Sequence, residues 1–417
     1  MLLPALFLSL ATQAQSLTWE ELNTGTQKNI RDLFFVNAQL GFAVGDDSLF
    51  IRTTDGGDTW TSPGFPGGSH PSGNAGNISA IAFTSSSEGM LAYTFIQQVL
   101  KTSDGGDSWN DMVGNNLMCN TSRILLPAQF EGYLVGRGCF GGAYVSAYGG
   151  FGWSAPILVY YGPGQGGLNS IAKDPVNNIL VAVGDEGLII RTEDAFVDFD
   201  TIVTSDNSHF TSVDYAGNNT FYLATGDLYD DIMISTDGGQ SFHADTTYLT
   251  SFFYPEVREL DFIAPEWGIA AGWANDTTDG IIMHKEGPVW SLYSVDEPLN
   301  AVHVVDSTIG FVGGNNGKIY RFKRLTGLGD GPSADAQVQI YPNPAAGGEM
   351  LQVKLAGLSA VSRIELCNLQ GTVMHSVALS SEPVSQLSYM LPDIAGGMYF
   401  LRLFADGKML TKKIVIR

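Results

Sequence analysis

Thr53-Thr-Asp-Gly-Gly-Asp-Thr-Trp60 recurs as Thr102-Ser-Asp-Gly-Gly-Asp-Ser-Trp109 and again as Ser235-Thr-Asp-Gly-Gly-Gln-Ser-Phe242. Three copies of one turn confine the chain to a repeat architecture made of hairpins. Each copy has a mechanism. The hydroxyl of Thr53, Thr102 or Ser235 opens the turn, and the carboxylate of Asp55, Asp104 or Asp237 can accept bonds from its own turn amides. The glycine pairs, which end at Gly57, Gly106 and Gly239, take positive φ without a Cβ clash. Trp60, Trp109 and Phe242 then start the next strand with a large apolar anchor.

A second mark precedes each turn, a short apolar strand usually closed by glycine. Its copies are Gly41–Gly45, Gly89–Tyr93, Gly132–Gly136, Leu180–Gly184, Tyr222–Gly226, Gly268–Gly272 and Gly310–Gly314. Their last positions lie 48, 43, 48, 42, 46 and 42 residues apart. Seven copies at that interval match four-stranded propeller blades. In the first blade, Asn29–Val36 reads as strand A, Gly41–Val44 as B, Leu49–Thr53 as C and Thr59–Thr61 as the start of D. The stretches Ser146–Trp153, Thr192–Phe199 and Met283–Trp290 keep a closing aromatic and only parts of the turn sequence, so packing is expected to outlast the turn's hydrogen bonds. The seventh unit stops at Ile319–Lys323 with no such turn. Leu17-Thr-Trp-Glu20 is an aromatic strand with no blade of its own, and pairing the two removes both exposed edges. The fold class read here is all-β, a seven-bladed propeller followed by a small β-sandwich.

Residues 1–15 are apolar through Leu10 and then small, which reads as a signal peptide cleaved after Ala14 although no Lys or Arg precedes the apolar run. The run is too short to cross a membrane. The propeller is assigned residues 16–325, and the Gly-rich stretch 326–337 a linker. Charge marks the same boundary: residues 1–337 carry a net −24 and residues 338–417 a net +2. The overall −22 disfavours nucleic acid, whose phosphates would be repelled.

The recurring turn resembles the Asp-box of the bacterial neuraminidase repeat. The propeller is similar to those related to photosystem II stability and assembly factors, and sialidases and the sortilin ectodomain use the same box. The resemblance implies a fold and selects no single function. The last segment, 338–417, resembles the C-terminal sorting domain of the type IX secretion system of Bacteroidetes. The matching residues are Tyr341-Pro342-Asn343-Pro344, Asn368-Leu-Gln-Gly371, Leu391-Pro392 with Gly397-Met-Tyr399, and Lys412-Lys413-Ile-Val-Ile416. This resemblance implies handling by the type IX machinery, removal of the domain, and release or attachment at the cell surface.

Candidate chemistry is sparse. Arg52, Arg191 and Arg321 could suggest a sialidase carboxylate clamp, but all three share one strand C position, which Lys101 also occupies. Equivalent positions around a ring point apart, so they read as a repeat feature that bridges blades or faces solvent. With 43 acidic residues, any carboxylate pair could be nominated for glycoside hydrolysis. The six histidines are dispersed, and neither a calcium loop, a nucleophile elbow nor a phosphate loop is present. No catalytic residue, cofactor or metal ligand is therefore named.

A binding surface remains. The B-to-C hairpins and D-to-A connections emerge on one face. The hairpins offer Asp46, Asp47, Asp185, Glu186, Asp227, Asp230 and Asp231, and the connections offer Tyr160, Tyr161, Phe253 and Tyr254. Cys119 and Cys139 fall in connections on that same face and are expected to form a disulfide, with free thiols as the alternative. The function read here is an exported, surface-associated propeller that binds a protein or glycan and catalyses nothing. The alternative is a secreted carbohydrate-active enzyme, a glycoside hydrolase or sialidase-like, on the same scaffold.

Overall fold

A computed structural model describes residues 17–63, 76–94, 98–112, 118–204, 208–226, 232–245, 255–274, 279–324, 337–356, 361–367, 373–379, 386–392, 394–405 and 408–417. The chain divides into two compact units, Met1–Arg324 and Leu325–Arg417. Strands and turns dominate both, with short 3-10 turns at Asp46–Ser48 and Asn315–Gly317.

The described residues of the first unit form seven antiparallel sheets. The first contains Ile30–Phe35, Gly41–Gly45 and Phe50–Thr53, and the second Ile78–Phe83, Gly89–Tyr93, Val99–Thr102 and Asn110–Asp111. The third contains Asn120–Ala128, Glu131–Arg137, Ala143–Tyr148 and Ile157–Tyr160, and the fourth Leu168–Asp174, Ile179–Gly184, Leu188–Thr192 and Asp200–Val203. The fifth contains Phe210–Gly217, Thr220–Thr225, Met233–Ser235 and His243–Ala244, and the sixth Pro255–Ala264, Trp267–Ala274, Gly280–Glu286 and Val289–Val295. The seventh contains Leu299–Asp306, Ile309–Gly314 and Ile319–Lys323, with the N-terminal strand Trp19–Leu22 on its edge. There Trp19 sits opposite Phe322 and Leu22 opposite Ile319.

The second strand of each sheet is apolar on both sides because both of its faces are covered, so it reads as a continuous run rather than an alternation. Gly41–Gly45, for example, is buried at every position. Neighbouring sheets share cores. Phe42, Val44 and Phe50 of the first pack with Ile81, Phe83 and Leu91 of the second, and Leu33, Ala43 and Ile51 pack with Ala301, Phe311 and Ile319 of the seventh. The rings of Phe35 and Phe311 stack at 3.5 Å across that last junction.

The first sheet departs from its expected fourth strand. Only a bridge between Arg52 and Thr61 is present, because Pro63, two residues on, has no amide to extend the ladder.

The second unit holds two sheets. One orders Gln337–Tyr341, Met350–Ala356 and Gln386–Met390; the other orders Val373–Ala378, Val361–Cys367, Gly397–Ala405 and Lys408–Ile416. Gln386–Met390 pairs antiparallel with Met350–Ala356, with Leu351 opposite Tyr389. Leu351, Val353 and Tyr389 of the first sheet share one core with Ile364, Leu366, Leu401, Leu403 and Ile414 of the second. No helix among the described residues is long and apolar enough to cross a membrane.

Candidate functional site

The three recurring Asp-Gly-Gly turns, the box turns below, are closed networks. Thr53 Oγ1 donates to Asp55 Oδ1 at 2.8 Å and accepts the Gly57 amide at 2.8 Å. The Thr59 amide and hydroxyl donate to the two Asp55 oxygens at 2.9 and 2.6 Å. Thr102, Asp104 and Ser108 repeat the pattern, as do Ser235, Asp237 and Ser241. Bonds from Thr59 hold Asp55 at about 2, and bonds from Ser108 hold Asp104 there too. At Asp237, partial burial pushes upward, but Ser241 and Ser235 outweigh it and the result is again about 2. Gly56 and Gly57 have φ of +75° and +93°, and a Cβ on Gly57 would lie 2.6 Å from Leu22 Cδ1.

A fourth such turn corrects the expectation that Thr192–Phe199 had lost its chemistry. Thr192 Oγ1 donates to Asp194 Oδ1 at 2.9 Å, the Phe196 amide donates to Thr192 Oγ1, and the Asp198 amide donates to Asp194 Oδ1. Ala195 and Phe196 adopt φ of 61° and 69° in place of the glycine pair. The strain is tolerated because Phe196 is buried in the core shared by the third and fourth sheets, edge-on to Tyr133. The turn's hydrogen bonds survive the loss of its glycines.

The strand C arginines bridge sheets and do not converge. Arg52 Nη1 donates to Gly105 O at 3.0 Å and to Asp107 at 2.6 Å. Arg191 Nε donates to Gly238 O at 2.7 Å, and Arg321 Nη1 to Gly56 O at 2.6 Å. Each reaches the first box glycine of the next sheet.

On the opposite face, three of the described hairpin acids, Asp46, Asp185 and Glu186, are bound internally. Asp46 accepts from Asn29 Nδ2 at 3.0 Å and pairs with Arg31. Asp185 accepts from the Gly167 amide, Asn169 Nδ2 and His209 Nδ1. Burial pushes the Asp185 carboxyl up, but these bonds outweigh it and hold it at about 2. Glu186 accepts the Gly166 amide at 2.9 Å. Asp47 is exposed, with its backbone tied to Asn77 and Lys28. Asp227, Asp230, Asp231, Phe253 and Tyr254 lie outside the described residues.

Among its described residues, this face also exposes aromatic side chains. Cys119 is bonded to Cys139, with a Cα–Cα distance of 4.8 Å, and the next residue, Phe140, is 88% exposed. Tyr161 Oη donates to Phe140 O at 3.3 Å. Tyr161 and Leu158 both crowd Gly142, where a Cβ would lie 2.9 Å from each side chain. Tyr160 is half-buried at the end of the outer strand. Phe140 was absent from the sequence-based set, although its position directly after Cys139 was a signal for it.

At the centre of the ring lies a cluster that sequence reasoning missed. Arg123 pairs with Glu259 and, at 3.4 Å, with Asp32. The acids also fasten adjacent inner strands. Asp32 accepts the Ile81 amide, Asp214 the Phe262 amide, Glu259 the Val302 amide and Asp261 the Val304 amide, at 2.8, 2.6, 2.9 and 2.7 Å. These amides would otherwise be buried without partners, which is costly. Burial raises Asp32, Asp214 and Glu259, with Asp261 adding to the rise at Asp214, against the downward pull of Arg123. The carboxylates are thus occupied with bonds between neighbouring sheets. Among the described residues, no group of three or more His, Cys, Asp or Glu side chains is placed to hold a metal ion.

In the second unit, Asn343 Oδ1 accepts the Val415 amide at 2.9 Å, between exposed Pro342 and Pro344. This ties the Pro-Asn-Pro segment to the terminal strand. Gly397 opens a strand, Tyr399 Oη donates to Ala395 O at 2.8 Å, and Lys412 and Lys413 lie on the last strand. Gly371 lies outside the described residues.

Residues 11–157 match the family model described as Photosynthesis system II assembly factor YCF48, and residues 339–417 match the Secretion system C-terminal sorting domain. A stretch of 42 residues is 45% identical to the Photosystem II assembly lipoprotein Ycf48 of Prochlorococcus marinus, covering 10% of this chain and 12% of that protein. The structure is similar to that of YCF48 bound to D1 peptide, at 16% identity and TM-score 0.56, covering 73% of this chain and 97% of that one. YCF48 from Cyanidioschyzon merolae gives 14% identity and TM-score 0.54 over 73% and 98% of the two chains. The GH74 xyloglucanase from Xanthomonas campestris gives 14% and 0.56 over 82% and 60%. At these identities the likeness is one of fold. The chain is an all-β protein that joins a propeller similar to the YCF48 family to a C-terminal secretion-system sorting domain of the type IX kind.

Proposed function

We propose that this is an exported, cell-surface, seven-bladed β-propeller that binds a protein or glycan ligand and carries out no reaction on it. In this reading residues 1–15 are a signal peptide, 16–325 the propeller, 326–337 a linker, and 338–417 a β-sandwich that directs type IX secretion. Each sheet of the first unit is a blade, and Trp19–Leu22 supplies the outer strand of the last.

The observation that carries the binding reading is Phe140. A large apolar ring left 88% exposed has no internal task, and the adjoining disulfide and Tyr161 hold it in one place. Rigid aromatic side chains bind with little entropic cost, so they serve as anchors. Leu158 and Tyr161 extend the surface, with Asp47 on the same face as an exposed acid. A similar propeller was solved with a peptide bound, which supports a peptide segment as one ligand class.

The test is a glycan array and a pull-down of surface proteins with the full chain. Phe140→Ser with Tyr161→Ser should weaken the captured ligand at least about tenfold at unchanged melting temperature. Unchanged affinity would sink the site. Turnover of any substrate in a polysaccharide and sialoside panel would favour the carbohydrate-active alternative. Intact mass of the extracellular protein tests the sorting role, since the secreted form should lack residues 338–417.

A further inference from the structure

The Asp-box face carries a second surface, distinct from the one that bears Phe140. Across most of the ring, the tips on this face are small or polar: Asp58, Asp107 and Gln240 in the box turns, Ser85–Ser87, Asn218–Asn219 and Ser307–Thr308 in the A-to-B hairpins. Two adjacent sheets break that rule most strongly, in both of their hairpins, whereas in the sixth sheet Ile263 and Val289 flank the tips at 42% and 50% exposed. In the third sheet, Phe130 is 65% exposed and Phe151 is fully exposed. In the fourth, Val176 is 82% and Val197 81% exposed. Exposed apolar side chains scattered singly need no explanation, but four on neighbouring tips do.

These tips are held close together. The Phe130 ring packs over Gly150, where a Cβ would lie 2.9 Å from its Cδ1, so it adjoins Phe151. Glu131, next to Phe130, pairs with Lys173 of the fourth sheet. Asn178 Nδ2, beside the Val176 tip, donates to Glu193 O at 3.0 Å in the turn that carries Val197.

The charge around these tips is one-sided. Glu193, Asp194, Asp198 and Asp200 are all exposed within the fourth turn and its outgoing strand. Nearby cations are committed: Arg191 to Glu193 and Gly238 O, and Lys173 to Glu131. The Asp198 amide and Thr192 hydroxyl hold Asp194 below its ordinary range, so it stays charged into acid. Apolar tips in a negative field match an apolar segment that carries Lys or Arg.

We propose that the tips of the third and fourth sheets dock a basic, apolar segment of a partner protein. The probe is a fluorescent peptide of alternating Leu and Lys, compared with a Leu–Glu peptide of equal length, titrated into the full chain and read by anisotropy. The Leu–Lys peptide should bind at least about tenfold more tightly and weaken in high salt. Phe130→Ser with Phe151→Ser, and independently Val176→Ser with Val197→Ser, should each weaken it at least about tenfold without lowering the melting temperature. Phe140→Ser with Tyr161→Ser, on the other face, should leave it unchanged. Equal loss from both faces, or no loss from either tip pair, would overturn the proposal. So would self-association of the wild type that the tip variants abolish, since that would assign the surface to a second copy of the chain.

Discussion

Arg321 donates from Nη1 to the carbonyl oxygen of Gly56 at 2.6 Å, joining the last sheet of the ring to the first. The same guanidinium donates to Asp58 at 2.7 Å and to Glu20 of the N-terminal strand at 2.8 Å. One side chain thus fastens three parts of the closure. The arrangement follows a rule along the chain. The equivalent strand C positions are Arg52, Lys101, Ala147, Arg191, Ile234, His284 and Arg321. Arginine stands in the three sheets whose next neighbour carries a Gly-Gly box, and in no other. A turn with two consecutive positive-φ glycines aims its first carbonyl at the preceding sheet, and a long planar fork can reach it.

Ring closure should depend on this contact. Arg321→Met leaves Gly56 O and Asp58 without their donor and should cost about 1–3 kcal/mol in urea denaturation. Arg321→Lys restores charge but not the fork, so it should recover only part of the loss. Deleting residues 16–24 removes Glu20 and bares the Ile319–Lys323 edge, which should cause aggregation. A deletion variant that melts like its parent would refute the role of the N-terminal strand.

The axial cluster should be sensitive to its single guanidinium. Arg123→Leu leaves Asp32 and Glu259 buried without a cation, at a cost of about 3–5 kcal/mol. Burial raises both carboxyls in the folded state. Such groups contribute stability that is fully present below their unfolded values and lost as the pH rises through the folded ones. The variant should therefore be less unstable near about pH 5 than near about pH 8 in parallel denaturation series. An acid-weakened variant would reverse the assigned sign.

The box aspartates behave in the opposite sense. Asp55, Asp104 and Asp237 are depressed to about 2. Their contribution is present above the ordinary 3.8 and lost as the pH falls toward about 2. Asp104→Asn should weaken the protein at neutral pH and flatten its acid unfolding profile in that window. A profile as steep as that of the wild type would place the acid sensitivity elsewhere.

The disulfide has a direct chemical readout. Of the three cysteines, Cys119 and Cys139 are paired, so denatured, unreduced full chain should titrate one thiol, that of Cys367. Cys119→Ser with Cys139→Ser should lower stability by about 2–4 kcal/mol. Three titratable thiols would end the pairing.

Much of the architecture was legible because its causes are local. The box turns close through bonds between residues two to four apart, as from Thr53 to Asp55 and from Gly57 back to Thr53, so their residues announce them. The repeat spacing marked the second strand of each sheet, and the lone aromatic strand at Trp19 had one unpaired edge to meet, that of Ile319–Lys323. The arginine rule was also present in the sequence and could have been read there, had each Arg been compared with the turn of the following repeat. The fourth turn was missed because composition hid it: a buried Phe196 can hold a positive φ that glycine would normally be needed to reach. Tertiary structure alone decided the rest. Asp32, Arg123 and Glu259 come from the first, third and sixth sheets and meet only when the ring closes. Asp185 and Glu186 turned inward because Gly166 and Gly167, at the end of the preceding connection, bring unpaired amides within their reach. A hydrogen bond within one turn is set by neighbours in the chain, whereas the partner of a carboxylate near the axis is set by where every other sheet stands.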